Sequence, residues 1–263
     1  MPRFAANCSM LFAEQPFLDR FEQAAKAGFD AVEFLFPYDH DAAEIADRLA
    51  SNGLRAVLFN APPGDTHAGD RGTACIPGRE AEFRKGVLRA VEYAQVLGVG
   101  NIHVMAGLAP TGVAAQTLRR TYVDNLRFAA AQFAGIGVRA LIEPINRFDM
   151  PTYFLHRAAD ALSIIDEVGA PNLLLQHDLY HAQRSEGELA ANIERLLPKI
   201  GHMQIADNPG RHEPGSGEIN FPFLFALVDR LGYGGHIGCE YRPLGRTEEG
   251  LGWFRAATQV GRT

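Results

Sequence analysis

Cysteines and long apolar runs are scarce in this sequence of 263 residues, and each scarcity excludes a class of protein. The three cysteines, Cys8, Cys75 and Cys239, lie far apart without a C-x-x-C spacing. That pattern excludes a disulfide framework and a zinc ribbon, and it suits a reducing compartment. No apolar run reaches the roughly 18 residues of a membrane span, and the N-terminal stretch does not resemble a signal peptide. We therefore expect a cytoplasmic protein without a membrane partner.

Positive charge is also in deficit, because 25 lysines and arginines stand against 31 aspartates and glutamates, a formal net charge of −6. This deficit and a pI of about 5.8 argue against nucleic acid as the main partner. With 47% hydrophobic and 21% charged residues, the composition is that of an ordinary globular protein with a substantial core. No shift in composition marks a linker, so we expect one domain over residues 1–263.

Strand-like and helix-like segments alternate along the whole chain. Short apolar runs that end at a polar residue or a proline predict strands buried on both faces, at 3–7, 31–36, 54–59, 101–105, 138–143, 173–178, 200–205 and 236–240. Eight such units, each followed by a helical pattern, predict an α/β protein with a parallel sheet closed into a (β/α)8 TIM barrel. A doubly wound open sheet is the alternative, but the turn at 7–16 lacks the glycine fingerprint of dinucleotide binding.

The helical segments follow the 3.6-residue period. They are predicted between Pro16 and Gly28 and at 41–51, 80–97, 114–133, 158–168, 186–197, 221–231 and 248–257. The last two carry aromatic runs at 221–223 and 251–254 that hint at a homo-oligomer interface. Packing of the closing helices into the core would explain these runs equally well.

Two connections between these elements are unusually long. The segment 60–79 is rich in glycine and proline, and a connection of this length is usually functional or disordered, so an active-site lid and a surface excursion both stay open. Its polar side chains include Asp65, His67, Asp70 and Arg71. The second segment, 204–218, carries Arg211, which could clamp a substrate carboxylate in a bidentate way. Alternatively, Arg211 could stabilise the loop by pairing with Asp207 or Glu213.

The last polar residue of each of the last four predicted strands carries a side-chain oxygen: Glu143, Asp178, Gln204 and Glu240. In a barrel the C-terminal ends of the strands converge on one face, and three carboxylates there require a counter-charge. Oxygen ligands favour Mg²⁺ or Mn²⁺ over zinc. Any one of these residues could be a solvated loop residue, and Asp178 and Glu240 could pair with Arg184 or Arg242. Their coincidence at four strand ends favours a metal site.

We expect three different roles for four histidines that lie in or shortly after predicted strands. His181 lies three residues after Asp178 and faces the same barrel mouth if a helical turn follows the strand. His103 and His177 alternate into strand interiors, where we expect satisfied structural histidines. His202 is expected to orient a neighbouring ligand, as partners of metal ligands commonly do.

Motifs spread over the chain resemble the hydroxypyruvate isomerase family: MLF at 10–12, EFLFPY at 33–38, ACIPG at 74–78, EPIN at 143–146, QHDLYH at 176–181, GHMQIADNP at 201–209, EPG at 213–215 and GCEY at 238–241. The wider group is the xylose-isomerase-like barrels, which include ketose 3-epimerases and an apurinic endonuclease family. The resemblance implies a metal held by Glu143, Asp178, Gln204 and Glu240, with Glu143 and Glu240 also transferring protons. The epimerases typically place a histidine where Gln204 stands, and this departure fits the hydroxypyruvate isomerase branch.

The expected reaction is a metal-assisted interconversion of hydroxypyruvate and tartronate semialdehyde (2-hydroxy-3-oxopropanoate) through an enediolate. His181 would hydrogen-bond a substrate oxygen and Arg211 the substrate carboxylate. No redox cofactor is needed, because the hydrogen returns to the same molecule. The alternatives are isomerisation of 2-oxo-tetronate to 3-oxo-tetronate, ketose 3-epimerisation and, from other classes, a nuclease for abasic DNA or a non-catalytic binding module.

Overall fold

Eight parallel strands close into one barrel. A computed structural model describes residues 2–259 of the chain. Each strand pairs with the next and the last with the first: β1 Arg3–Asn7, β2 Ala31–Phe34, β3 Arg55–Asn60, β4 Asn101–His103, β5 Arg139–Ile142, β6 Leu173–Asp178, β7 Ile200–Ile205 and β8 His236–Cys239. The pairing of β1 with β8, in which Arg3 lies opposite His236, closes the sheet. The predicted (β/α)8 barrel is confirmed, and the open-sheet alternative is wrong.

Helices surround this barrel and connect the strands: α1 Arg20–Lys26, α2 Ala42–Ser51, α3 Glu80–Leu97, α4 Ala115–Ala134, α5 Ala158–Val168, α6 Leu179–Ser185, α7 Leu189–Leu196, α8 Phe221–Arg230 and α9 Gly252–Gln259. Short 3-10 turns at Phe17–Asp19, Leu197–Lys199 and Thr247–Gly250 precede α1, β7 and α9. Within residues 2–259, no helix combines the length and the apolarity needed to cross a bilayer.

The region after β6 departs most from the sequence-based expectation. A single helix was predicted at 186–197, whereas the chain forms α6 directly after β6 and then α7. Asp178 starts α6 because its Oδ1 accepts a hydrogen bond from the Tyr180 backbone N–H, at 2.8 Å, which satisfies a free helix donor. The two helices are separate because Gly187 and Glu188 both have left-handed φ values, 66° and 49°.

The aromatic runs of the closing helices are mostly core. Phe221, Leu251 and Phe254 are buried, whereas the Phe223 side chain is 52% exposed. Trp253 lines an apolar groove of about 460 Å³ between α8 and α9, and this groove shares no lining residue with the cavity at the C-terminal ends of the strands. Core packing therefore explains most of these residues, and self-association stays a prediction.

Candidate active site

A cavity of about 350 Å³ opens at the C-terminal ends of the strands. Its walls include the predicted site residues Glu143, His181, Arg211 and Glu240, together with His103 and Arg71, for which the sequence predicted no role in binding or catalysis. In barrels of this kind the chemistry takes place at this face. The cavity is therefore the candidate active site.

Three of the predicted residues form a compact buried group. Ligand atoms of Glu143, Asp178 and His181 all lie within 4.8 Å of one another. The His181 Nε2 is 4.0 Å from Glu143 Oε1 and 3.8 Å from Asp178 Oδ2. These two carboxylate oxygens have no hydrogen-bond partner among residues 2–259. Buried carboxylate oxygens are costly unless they are paired, and a hard divalent cation supplies that pairing. The donors present therefore fit a metal ion.

The local sequence explains how these side chains reach the cavity. Glu143 follows β5 immediately, and Pro144 has no N–H with which to continue the ladder. Asp178 caps α6 with one carboxylate oxygen, which leaves Oδ2 without a hydrogen-bond partner among the described residues and 3.8 Å from Nε2 of the cavity-lining His181. The helical turn on which the placement of His181 depends is present, since α6 starts at Leu179.

Asn146 fixes the tautomer of His181. The Asn146 Oδ1 accepts hydrogen bonds from the backbone N–H groups of Phe148 and Asp149, at 3.0 and 2.9 Å. Its amide Nδ2 is therefore turned towards His181 Nδ1, 2.7 Å away, and donates to it. A neutral imidazole that accepts at Nδ1 carries its proton on Nε2. His181 consequently presents an N–H donor to the cavity, which is the chemistry of a substrate contact rather than of a metal ligand.

Gln204 is held by the polar interior of the barrel. Its Nε2 donates to Glu33 Oε1 at 2.8 Å, and its Oε1 accepts from Gln176 Nε2 at 2.6 Å. Because a carboxylate can only accept, Glu33 fixes the direction of the Gln204 amide. The amide oxygen keeps a second lone pair for a cation.

Glu33 is a buried residue whose importance the sequence analysis did not identify. It is fully inaccessible to solvent and also accepts from Asn7 Nδ2 and His202 Nε2, at 2.9 and 2.6 Å. Gly238 leaves room for it, because a Cβ there would lie 2.2 Å from Glu33 Oε2. The available signal was a charged residue in the middle of an apolar strand. His202 therefore contacts Glu33, which also accepts a hydrogen bond from Gln204. The predicted effect of His202 on the orientation of Gln204 would act through Glu33.

Arg211 provides the positive charge among the site carboxylates. Its Nη2 lies 2.9 Å from Glu240 Oε1 and 3.8 Å from Asp178 Oδ2, and its guanidinium stacks on Tyr180 at 5.2 Å. The alternative pairings of the site carboxylates with Arg184 or Arg242, and of Arg211 with Asp207 or Glu213, are not those that the structure shows.

Asp207 instead organises the loop that carries Arg211. Its carboxylate accepts hydrogen bonds from the backbone N–H groups of Asn208, Gly215, Gly217 and Ile219. This loop fold directs Arg211, whose φ is 57°, into the barrel mouth.

Burial shifts the protonation equilibria of the site. It raises the pKa of Glu143 well above its ordinary value, and the charges of Glu240 and Asp178 add to the rise. It also raises the pKa of Asp178 to about 6 and of Glu240 to about 8, although Arg211 opposes both shifts. Burial, aided by Arg211, lowers the pKa of His181 well below its ordinary value, so its ring is neutral. Arg211 alone therefore does not keep all three carboxylates charged near neutral pH.

His103 corrects one expectation. The sequence predicted a satisfied structural histidine, but His103 closes β4, lines the cavity and lies with its Nδ1 3.7 Å from Glu143 Oε2. Its Nε2 has no hydrogen-bond partner among the described residues. Burial lowers its pKa to about 3, so it is a neutral group beside Glu143. His177 is buried as expected but is not satisfied either, because its Nε2 has no hydrogen-bond partner among the described residues; burial lowers its pKa to about 4.

The 60–79 loop forms part of the cavity wall through Thr66, Asp70 and Arg71. The side chain of His67, by contrast, is exposed. Asp70 anchors the loop, since its carboxylate accepts two hydrogen bonds from Arg79, at 2.7 and 2.6 Å. The loop therefore contributes to the cavity, and its opening and closing as a lid stay a prediction.

Known proteins match this chain over nearly its full length. The family model described as xylose isomerase-like TIM barrel matches residues 21–257. A 2-oxo-tetronate isomerase of Cupriavidus necator is 57% identical and a hydroxypyruvate isomerase of Escherichia coli K12 is 51% identical, each over 97% of this chain and 98% of the relative. A solved structure described as an AP endonuclease, family 2, from Brucella melitensis is 48% identical with a TM-score of 0.95, covering 97% of this chain and 99% of that one.

Proposed function

Because this chain belongs to the xylose isomerase-like TIM barrels, and within them to the family of hydroxypyruvate and 2-oxo-tetronate isomerases, we propose that it isomerises a short hydroxy-oxo acid. In hydroxypyruvate the carbonyl would move from C2 to C3 and give 2-hydroxy-3-oxopropanoate. The observation that carries this proposal is the buried pair of carboxylates, Glu143 and Glu240, at one cavity that also holds a neutral N–H donor and a fixed cation.

Proton transfer between adjacent carbons needs a group that removes a proton and a group that returns one. Glu143 and Glu240 follow strands β5 and β8, which lie in different parts of the barrel wall. One would take a proton from C3, and the other would deliver a proton to C2 of the resulting enediolate. Glu240 Oε1 lies 2.9 Å from Arg211 Nη2, whereas Glu143 pairs with no arginine within residues 2–259, so Glu143 would be the more available base in the direction from hydroxypyruvate.

His181 and Arg211 would act on substrate oxygens. The Nε2–H of His181 is directed by Asn146 and can donate to the oxygen that gains negative charge, which is the kind of preorganised donor that stabilises such charge. Arg211 would hold Glu240 in place and contact a substrate oxygen at the reacting centre.

A divalent cation would be held by Glu143, Asp178, Gln204 and Glu240, and we propose Mg²⁺ or Mn²⁺ because three of these donors are carboxylates. The unpartnered oxygens of Glu143 and Asp178 support this assignment. The bound ion would supply Lewis-acid polarisation of the substrate carbonyl. It would also favour the ionised carboxylates, whose pKa values burial raises.

The second candidate substrate is 2-oxo-tetronate, which carries one more hydroxymethyl group on C3. The 57% identity to a 2-oxo-tetronate isomerase, against 51% to a hydroxypyruvate isomerase, favours it. The same two carboxylates would perform the same transfer from C3 to C2. Side-by-side kcat/KM measurements on both acids, with a neutral ketose as the third substrate, decide between them. A neutral ketose that is turned over faster than either acid would instead indicate a 3-epimerase.

A nuclease for abasic DNA is the candidate from another class, and the similarity to the Brucella melitensis structure favours testing it. The net charge of −6 and the buried carboxylates of the cavity oppose the approach of a phosphate backbone. Incision of an abasic oligonucleotide at physiological salt, without turnover of the acids, would replace the isomerase proposal.

A further inference from the structure

Three arginines line the candidate active-site cavity: Arg71, Arg211 and Arg242. The proposed substrates are anions, and the cavity already holds the carboxylates of Glu143 and Glu240. Because like charges repel at short range, a substrate carboxylate requires a cation away from the reacting carbons. The three arginines differ in how much of their charge is available for that purpose.

Arg211 is already committed to carboxylates of the protein. Its Nη2 pairs with Glu240 at 2.9 Å and lies 3.8 Å from Asp178, while Nη1 lies 3.8 Å from Asp149. A further anion at Arg211 would have to compete with these groups. The expected clamp between Arg211 and the substrate carboxylate is therefore the weaker assignment.

Arg71 is held in place without a carboxylate partner. Its Nη1 donates to the backbone carbonyl of Asp70 at 2.6 Å, and no carboxylate oxygen within residues 2–259 lies within 4.0 Å of its guanidinium. The neighbouring Asp70 carboxylate is occupied, since it accepts two hydrogen bonds from Arg79. The Arg71 side chain is partly buried, whereas the Arg242 side chain is exposed. Partial burial reduces solvent screening of a charge, so Arg71 offers the stronger site.

The backbone beside Arg71 is also built for this placement. Gly72 has a φ of 106° and packs against Met105 so closely that a Cβ there would lie 2.4 Å from the Met105 carbonyl oxygen. Asp65 contributes a backbone N–H to the Asp70 carboxylate at 2.7 Å. These contacts fix the loop on both sides of Arg71, so its guanidinium is preorganised at the cavity wall.

We propose that Arg71 binds the carboxylate of the substrate and thereby selects a hydroxy-oxo acid over a neutral sugar. The fork of guanidinium donors matches the two oxygens of a carboxylate. This inference rests on the proposed function, and it assigns the acid specificity to the 60–79 loop. Arg211 then acts at the reacting centre through Glu240.

The test compares Arg71→Met and Arg242→Met with the wild-type enzyme on two ligands that differ only at the carboxylate. Hydroxypyruvate is the acid, and dihydroxyacetone, in which a hydroxymethyl group replaces the carboxylate, is the neutral partner, measured as a substrate or as a competitive inhibitor. In Arg71→Met, KM for hydroxypyruvate should rise about 10- to 100-fold, the loss expected when a hydrogen bond to a charged group is removed. The KM of dihydroxyacetone as a substrate, or its inhibition constant as a competitive inhibitor, should stay near the wild-type value.

Binding of glycerate, a hydroxy acid that lacks the reacting carbonyl, separates this inference from the proposed function. Calorimetry should show that the Kd for glycerate rises in Arg71→Met by about the same factor as KM for hydroxypyruvate. This result is expected even if the wild-type protein turns over neither hydroxypyruvate nor 2-oxo-tetronate. Unchanged glycerate binding in Arg71→Met overturns the inference. An equal loss for the acid and the neutral ligand, or a selective loss in Arg242→Met alone, also overturns it.

Discussion

At the scale of single residues, Asn146 decides what His181 can do. Two backbone N–H groups occupy the Asn146 amide oxygen, so its nitrogen donates to His181 Nδ1. The imidazole therefore keeps its proton on Nε2, facing Glu143 and Asp178. Distance alone would group His181 with the metal ligands, whereas the hydrogen-bond directions assign it a donor role.

In Asn146→Ala, His181 should no longer be restricted to the tautomer that is protonated at Nε2. Without the amide donor, Nδ1 of His181 can carry the proton, so the population with an Nε2–H falls and a substrate hydrogen bond weakens. We expect kcat/KM to fall about tenfold, the usual order for one buried hydrogen bond. Nitrogen-15 NMR of the His181 ring gives the direct measurement. A ring protonated at Nδ1 in the wild-type protein would contradict the assignment.

Glu143→Gln and Glu240→Gln should each lower kcat by about 10²- to 10⁴-fold, the range expected for loss of a general acid or base. Glutamine keeps the size of the side chain but cannot carry the proton. Steady-state kinetics with hydroxypyruvate measures the effect, and Glu44→Gln at an exposed position of α2 is the matched control. Near-normal turnover in both site variants would remove proton transfer from these residues.

The sequence predicted those site residues that end a strand, because barrel topology alone brings strand ends together. Glu143, Asp178, Gln204 and Glu240 were predicted in this way, and the closed barrel brings the C-terminal ends of their strands to one face. Glu33, His103 and Asn146 were not, because their roles depend on the side chains of distant segments. Glu33, for example, meets His202 across 169 positions of sequence.

At the scale of structural elements, the 60–79 loop is the connection that contributes most to the cavity. It reaches the wall through Thr66, Asp70 and Arg71 and is fixed by Gly72 against the end of β4. The sequence marked it as functional by its length and its glycine content. The sequence could not show which of its polar residues line the cavity, because this depends on the fold of the loop. Arg71 lines the cavity, whereas the His67 side chain is exposed.

Gly72→Ala should displace this loop. The new Cβ would lie 2.4 Å from the Met105 carbonyl oxygen, so overpacking of about 1–3 kcal/mol adds to the strain of a left-handed φ. Gly69→Ala is the control, because its φ of 95° is similar and nothing lies within 4 Å of its Cβ. Chemical denaturation compares the free energies of unfolding, and KM for the acid should rise only in Gly72→Ala. Equal effects of the two substitutions would contradict close packing at Gly72.

The β6–α6 connection shows why element boundaries are harder to predict than elements. The strand at 173–178 was predicted with the bounds that the structure shows, Leu173–Asp178, because an apolar run ends there at a carboxylate. The following helix was missed because Asp178 was interpreted only as a candidate site residue, whereas its side chain also caps α6. A cap is recognised in a sequence mainly by the apolar period that follows it, and α6 is only seven residues long.

For the molecule as a whole, the barrel fold could be predicted from the alternation of strands and helices and from the length of the chain. Eight strand–helix units in about 250 residues leave few arrangements in which every strand is buried on both faces. The polar interior could not be predicted in the same way. The contact of Glu33 with Gln204 and the room that Gly238 leaves for Glu33 depend on how the closed barrel brings distant strands together.

A divalent cation should stabilise the folded molecule as a whole, because it would bind the assembled site and not the unfolded chain. At roughly 100 times its Kd, Mn²⁺ or Mg²⁺ should add about 2.7 kcal/mol and raise Tm by about 5–10 °C. Differential scanning calorimetry measures the shift, which EDTA should reverse. Asp178→Asn removes a proposed carboxylate ligand and should reduce the metal-dependent rise in Tm. Unchanged Tm with both metals would contradict the metal site.

In the proposed reaction, Glu143 and Glu240 would move a proton between adjacent carbons of a hydroxy-oxo acid. Isomerisation of hydroxypyruvate in D₂O, followed by NMR, tests it most directly. If one glutamate removes the C3 proton and the other delivers a proton that exchanges with solvent, the product carries deuterium at C2. Product formed at the normal rate with no deuterium at C2 would mean direct transfer of the original hydrogen, and would contradict the roles assigned to Glu143 and Glu240.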